Sequence, residues 1–190
     1  MKQDRIRKLC VAALLCAVGI LVPVISPVKI TVGPMSFTLA SHVAVFMAMF
    51  ISPAVALSVE LGTTVGFILA GFAPVVWLRA AAQVFFVLPG ALWLTAAPGL
   101  MQKPAGRTFF GLVCAIIHGV AEALVVLVFW FGGMYHDAGY SMNFLIWGLV
   151  CGGTILHSML DYFLSLLIWV PVGRMTTLPA VYRPQFRQHG

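Results

Sequence analysis

A few charged, imidazole and amide side chains interrupt the apolar runs of this sequence, and these are the groups able to do chemistry. Arg79 stands in the run from Pro74 to Ala97, with Trp77 just before it and Gln83 one turn after it. His42 opens another run, Glu60 sits inside a third, and Asn143 begins the last. His118 with Glu122, and His157 with Asp161, are spaced i, i+4, so on a helix the members of each pair share a face. A guanidinium in a low-dielectric pocket matches a carboxylate bidentately, and Trp77 or Phe37 can stack on an aromatic ring. Two histidines and two carboxylates on neighbouring helices form a conceivable metal-ligand set. The HExxH pattern is absent, and no hydroxyl or thiol nucleophile accompanies the set at a recognised spacing. Each group also has a structural reading. Arg79 can neutralise Glu122 or Glu60, and the two i, i+4 pairs can hold neighbouring helices together by hydrogen bonds.

What positions these residues follows from composition. Of the 190 residues, 62% are apolar and 8% are charged, and the mean hydropathy is +1.05. Soluble domains carry about 25% charged residues, so water is the wrong solvent for this chain. A disordered, collagen-like or nucleic-acid-binding chain is excluded, and an integral all-α membrane protein is expected. At bilayer depth each charged group costs roughly 2.5–3.5 kcal/mol on insertion scales, so each asks for a partner or a function.

A crossing needs about 20 mainly apolar residues. Six segments qualify, at about 9–25, 38–51, 54–70, 74–97, 108–131 and 142–172, and they make residues 1–190 one membrane domain. The last is too long for a single straight crossing and is expected to tilt or to break near Gly152-Gly153. The first begins with basic residues but has no small-x-small cleavage site after it, and is read as a retained helix. Six crossings place both termini on one side. With the termini in the cytoplasm, Lys2, Arg5, Arg7, Lys8, Lys103, Arg107, Arg174, Arg183 and Arg187 all lie inside, and Lys29 alone lies in an outer loop, near Asp137 in another. That asymmetry decides the orientation.

Counting depth at about 1.5 Å per residue from each helix start divides the polar residues in two. His42, Trp77, Arg79, Gln83 and Asn143 fall near the outer side and outline a pocket, with Thr31, Ser36 and Phe37 in the loop above as a lid. Glu60 and Glu122 fall lower, and His118, His157 and Asp161 lower still. Cys10, Cys16, Cys114 and Cys151 lie in or beside apolar runs without CxxC or Cys/His spacing, which favours plain packing. The glycines form no phosphate loop, so the chain has no ATPase motif of its own.

Three stretches carry a likeness to a known family. The first helix reads Ala12-Ala13-Leu14-Leu15-Cys16-Ala17, with Ala13 and Ala17 four apart in an Ala-x-x-x-Ala pattern. A Pro/Gly-punctuated loop follows, from Ser26 to Pro34. Then come a compact helix pair joined at Ser52-Pro53 and the run Leu61-Gly62-Thr63-Thr64-Val65-Gly66. The chain resembles the substrate-binding S components of energy-coupling factor (ECF) transporters, which import vitamins. Phe37-Thr38-Leu39-Ala40-Ser41-His42, with Met49 to Pro53, is most like the niacin-type branch. The cobalt and nickel branch places a ligating histidine after the initiator methionine, where this chain has Lys2.

The resemblance implies a bacterial plasma-membrane, multi-pass subunit that captures a small water-soluble vitamin and has no enzyme activity, cofactor or resident metal. Its implied partners are the ECF transmembrane coupling subunit, two ATPase subunits and membrane lipid, with no nucleic acid. The expected substrate contacts are Arg79, His42, Trp77, Gln83, Asn143, Phe37 and Glu122. Small residues let helices approach closely, so the Ala13/Ala17 face serves either partner docking or packing within the bundle. Two alternatives stand beside this reading. One is an intramembrane metal-dependent enzyme using His118, Glu122, His157 and Asp161. The other is the same transporter class with pantothenate, folate or pyridoxine as cargo.

Overall fold

In a hydrocarbon solvent every backbone N–H and C=O must find its partner within the protein, and a helix satisfies them locally. The computed structural model describes residues 2–27, 29–32, 35–175 and 179–183, and it is helical apart from one hairpin. Helix α1 (Lys2–Ile25) leads into strands β1 (Lys29–Val32) and β2 (Met35–Thr38). Then follow α2 (Val43–Ile51), α3 (Pro53–Leu69), α4 (Pro74–Ala82), α5 (Val84–Ala96) and α6 (Pro104–Phe131). A π-helical segment (Phe144–Gly152) runs directly into α7 (Gly153–Met175). The expected all-α architecture is thus departed from at β1–β2. These strands pair antiparallel, with Ile30 opposite Phe37 and Val32 opposite Met35.

Among the described residues, α1, the α4–α5 unit, α6 and the π-segment with α7 are long and apolar enough to cross a membrane. Helix α3 has 17 residues. Helix α2 has nine, about 14 Å of rise against a hydrocarbon core of about 30 Å. It is apolar all round, and nearly all its side chains are buried, as suits a helix enclosed by others. Its neighbours are α1, α3, α5 and α7. Large apolar side chains such as Leu69, Val128, Leu156 and Leu167 point outward, where lipid rather than water is the fitting solvent. This is a membrane protein.

Local sequence sets the breaks. Ser52 ends α2 and opens α3 in an extended conformation, its hydroxyl accepting from Val55 N–H at 3.3 Å. Pro53 then occupies the first helical position, where its missing N–H costs nothing. Gln83 joins α4 to α5 through a tight turn, its N–H bonding Ala80 O at 3.0 Å. The change from π to α winding falls at Gly152-Gly153, and Gly153 has a packing reason to lack a Cβ. Met35 and Phe37 of the hairpin sit where that Cβ would be.

The core gathers Phe46, Phe50, Phe86, Phe110, Tyr162 and Trp169 around α2. The last carbonyls of α2 are met by a returning segment. Val181 N–H donates to Ile51 O at 3.3 Å and Tyr182 N–H to Phe50 O at 3.0 Å, while Trp169 Nε1 donates to Tyr182 O at 3.0 Å.

Helix α1 packs on α3 through its Ala12, Leu15, Cys16 and Gly19 side. Cys16 Sγ occupies the space a Cβ on Gly62 would need, and Thr63 lies 2.6 Å from the corresponding point on Gly19. Ala13 and Ala17 are on the opposite, exposed side, so among the described residues this pair does not pack within the bundle. Gly62→Leu is therefore expected to lower the stability of the detergent-purified protein by about 1–3 kcal/mol through overpacking. Ala13→Leu should change it by less than about 0.5 kcal/mol, both read from thermal unfolding monitored by tryptophan fluorescence.

Candidate functional site

The start of α2 has no side-chain cap of its own, and a carboxylate from α7 takes that place. Asp161 Oδ1 accepts Ala40 N–H at 2.8 Å and its Oδ2 accepts His42 N–H at 2.9 Å. The negative charge suits the positive end of α2, and it holds the turn in which Ala40 adopts φ +68°, a conformation uncommon for a residue with a Cβ. The same carboxylate receives two imidazoles, His42 Nδ1 at 3.1 Å and His157 Nε2 at 3.3 Å. Ser41 Oγ lies between them, 3.2 Å from His42 Nδ1 and 3.1 Å from His157 Nε2.

A second polar cluster adjoins the first. Arg79 Nη2 on α4 donates to Glu122 Oε2 on α6 at 2.8 Å, and Thr154 Oγ1 on α7 donates to the same oxygen at 2.5 Å. His118 Nε2 stands 3.4 Å from Glu122 Oε1, and its Nδ1 is 3.2 Å from Ser158 Oγ. His118 also meets the His42 ring edge-on, with centroids 4.8 Å apart, and His42 meets His157 in the same way at 4.9 Å. The two clusters are one network.

The network forms part of the wall of a cavity at the hairpin end of the bundle. Phe37, Thr38, Ser41, His42, Thr63, Phe67, Phe72, Arg79, Gln83, Glu122, Thr154 and His157 line it, with Pro23, Val76 and Ala80. Its volume is about 60 Å³ on a measure by which one water needs roughly 10–15 Å³. That suits a molecule the size of one substituted ring. Gln83 is 8% exposed and lines the cavity, where its side-chain amide has donors and an acceptor to offer a ligand. A wider furrow of about 580 Å³ runs between α5 and α6, lined by Phe85, Ile116, Val120, Leu124 and other apolar residues. It offers a water-soluble molecule no polar anchor.

Of the expected contacts, Arg79, His42, Gln83, Phe37 and Glu122 meet around the one cavity. Trp77, half-buried, and Asn143, exposed, do not line it. Thr31 and Ser36 pair across the hairpin, and their side chains lie outside the described residues. Arg79 is paired with Glu122, whereas Glu60 is buried on α3 with Thr64 Oγ1 at 3.3 Å. The division into outer and deep groups does not survive. His42 touches His118, His157 and Asp161 because helix starts do not share a plane, and because a π-helix rises less per residue than the α-helix assumed in counting. Nor do His118, Glu122, His157 and Asp161 converge as one ligand set. Among the described residues, the ligating atoms that lie within 4.8 Å of one another are those of His42, His157 and Asp161, close enough to share a small metal ion, and each already has a hydrogen-bonding neighbour.

Over 166 residues the chain is 40% identical to the niacin transporter NiaX of Lactococcus lactis subsp. cremoris (strain MG1363), which covers 87% of this chain and 74% of that one. This chain belongs to the niacin-transporter family. The kinship with niacin-type S components, expected from the first helix and the stretch around His42, is borne out. No family model and no solved structure matches the chain.

In this member of the niacin-transporter family several cavity residues escaped the sequence reading. Ser41 is the neighbour of His42. Thr154, His157, Ser158 and Asp161 share one helical face by their spacing, a polar stripe that would have joined Thr154 and Ser158 to the histidine pair. Thr63, Phe67 and Phe72 carry no such signal. Removing one partner of a buried ion pair leaves the other uncompensated, at about 3–5 kcal/mol. Glu122→Leu alone is expected to destabilise the protein by that amount, and Arg79→Met combined with Glu122→Leu to recover most of it, measured by denaturant titration in detergent.

Proposed function

We propose that this chain is the substrate-capture subunit of an ECF-type importer and that its cargo is niacin. The observation that carries this reading is the cavity itself. It is sized for a single ring, with a buried guanidinium and the Gln83 amide in its wall. Glu122 fixes the guanidinium at that wall, where the carboxylate of nicotinate meets Arg79 and the Gln83 amide donors. Phe37, on β2, offers its ring to the pyridine face. Such a site binds and releases a nutrient.

The remaining parts follow from this role. The bundle crosses the membrane six times in the bacterial plasma membrane, with α2 and α3 as its short members and both termini in the cytoplasm. The cavity opens outward and the β1–β2 hairpin covers it. The exposed Ala13/Ala17 face docks on the transmembrane coupling subunit, and two ATPase subunits drive the reorientation that delivers the vitamin.

Nicotinate at a hundred times its dissociation constant should stabilise the purified protein by about 2.7 kcal/mol, seen as a raised melting temperature. Arg79→Ala should weaken binding by about 1.5–3 kcal/mol, the contribution of a charge-assisted hydrogen bond, while chelator should leave it unchanged. A different B vitamin stabilising the protein in place of nicotinate would overturn the assignment of cargo. For the topology, single cysteines at Lys103 and Asp137 in a cysteine-free background should label from opposite sides of intact cells, Asp137 from outside.

A further inference from the structure

Ser41 Oγ is held between two imidazoles at the cavity wall. Asp161 accepts the backbone N–H groups of Ala40 and His42 and is hydrogen-bonded to His42 Nδ1 at 3.1 Å. A carboxylate has only acceptors to give, so His42 Nδ1 carries its proton on that side. Ser41 Oγ stands 3.2 Å from the same nitrogen and 3.1 Å from His157 Nε2. Towards His42 Nδ1 it accepts, and its own hydrogen turns either to His157 Nε2 or to an acceptor in the cavity. A hydroxyl that accepts from N–H groups is polarised into a stronger donor. Ser41 lines the cavity, and Phe37, against His157 at 4.9 Å, supplies a flat wall beside it.

We propose that Ser41 is the specificity residue that reads a hydrogen-bond acceptor within the ligand's ring. Resting on the niacin reading above, that acceptor is the pyridine nitrogen of nicotinate. Arg79 and Gln83 select for the carboxylate, and Ser41 selects for the heteroatom. Asp161 is a positioning residue that holds the Ala40–His42 turn in which Ser41 lies.

The test compares two acids on the detergent-purified full chain by isothermal titration. Benzoate keeps the ring and the carboxylate of nicotinate and has C–H where the nitrogen stands. Wild type should prefer nicotinate by roughly 10- to 100-fold, the loss expected when one donor faces an apolar ring edge. Ser41→Ala should bring nicotinate down to the level of benzoate while benzoate binding stays within about twofold, as removing one neutral hydrogen bond requires. Ser41→Thr, which keeps the hydroxyl, should retain the preference. Equal binding of the two acids by wild type would overturn the inference and leave the niacin reading standing. So would Ser41→Ala weakening both acids by the same factor, since that is the mark of a merely structural residue. A wild type that binds neither acid overturns the niacin reading and this inference together.

Discussion

An ionised carboxylate in an apolar interior must be surrounded by donors or it will not stay. Asp161, fully buried, is the group around which the hairpin end of this bundle is arranged. Its oxygens collect the turn that precedes α2, and with it the direction in which the hairpin leaves the bundle. They also collect the two histidines that face the cavity. Without that charge the Ala40 turn would lose its tether, the start of α2 would lose its cap, and His42 would lose the acceptor for its Nδ1 proton. One side chain on α7 thereby couples the secondary structure of a distant segment to the chemistry of the site.

The neighbouring Arg79–Glu122 pair solves the same problem with opposite charges. A guanidinium needed at a cavity wall cannot be left bare at bilayer depth, and Glu122 compensates it without removing it from the wall. Thr154 and His118 in turn hold Glu122, so the orientation of the cation is set by α6 and α7 as well as by α4. Compensation of this kind makes a site that is rigid before its ligand arrives, which reduces the ordering cost of binding.

Much of this was readable in the residues. The apolar runs marked the helices because lipid leaves the backbone no other partner, and the scarcity of charge made Arg79, Glu122 and the histidines stand out. The pairing of Arg79 with Glu122 was one of two open choices, and only three-dimensional packing could separate Glu122 from Glu60. The hairpin has only a short signal in the sequence, the β-branched run of Lys29-Ile30-Thr31-Val32. Pro27, Gly33 and Pro34 around it are equally the marks of an irregular loop. The depth of His42 was misjudged for a geometric reason, since counting from each helix start assumes uniform rise and a common plane. Trp77 was grouped with Arg79 by nearness in sequence, but two residues along a helix turn a side chain well away.

The segment that completes α2 has a bearing on biogenesis. Residues 181 and 182 supply the N–H groups for the final carbonyls of the central helix, and they are translated after every helix described. During membrane insertion the nascent chain must therefore hold α2 with its carboxyl end open until α7 has already left the ribosome. Closure of the core therefore waits for a segment made after α7, and the half-built bundle depends on its surroundings, translocon or lipid headgroups, to solvate those carbonyls in the meantime.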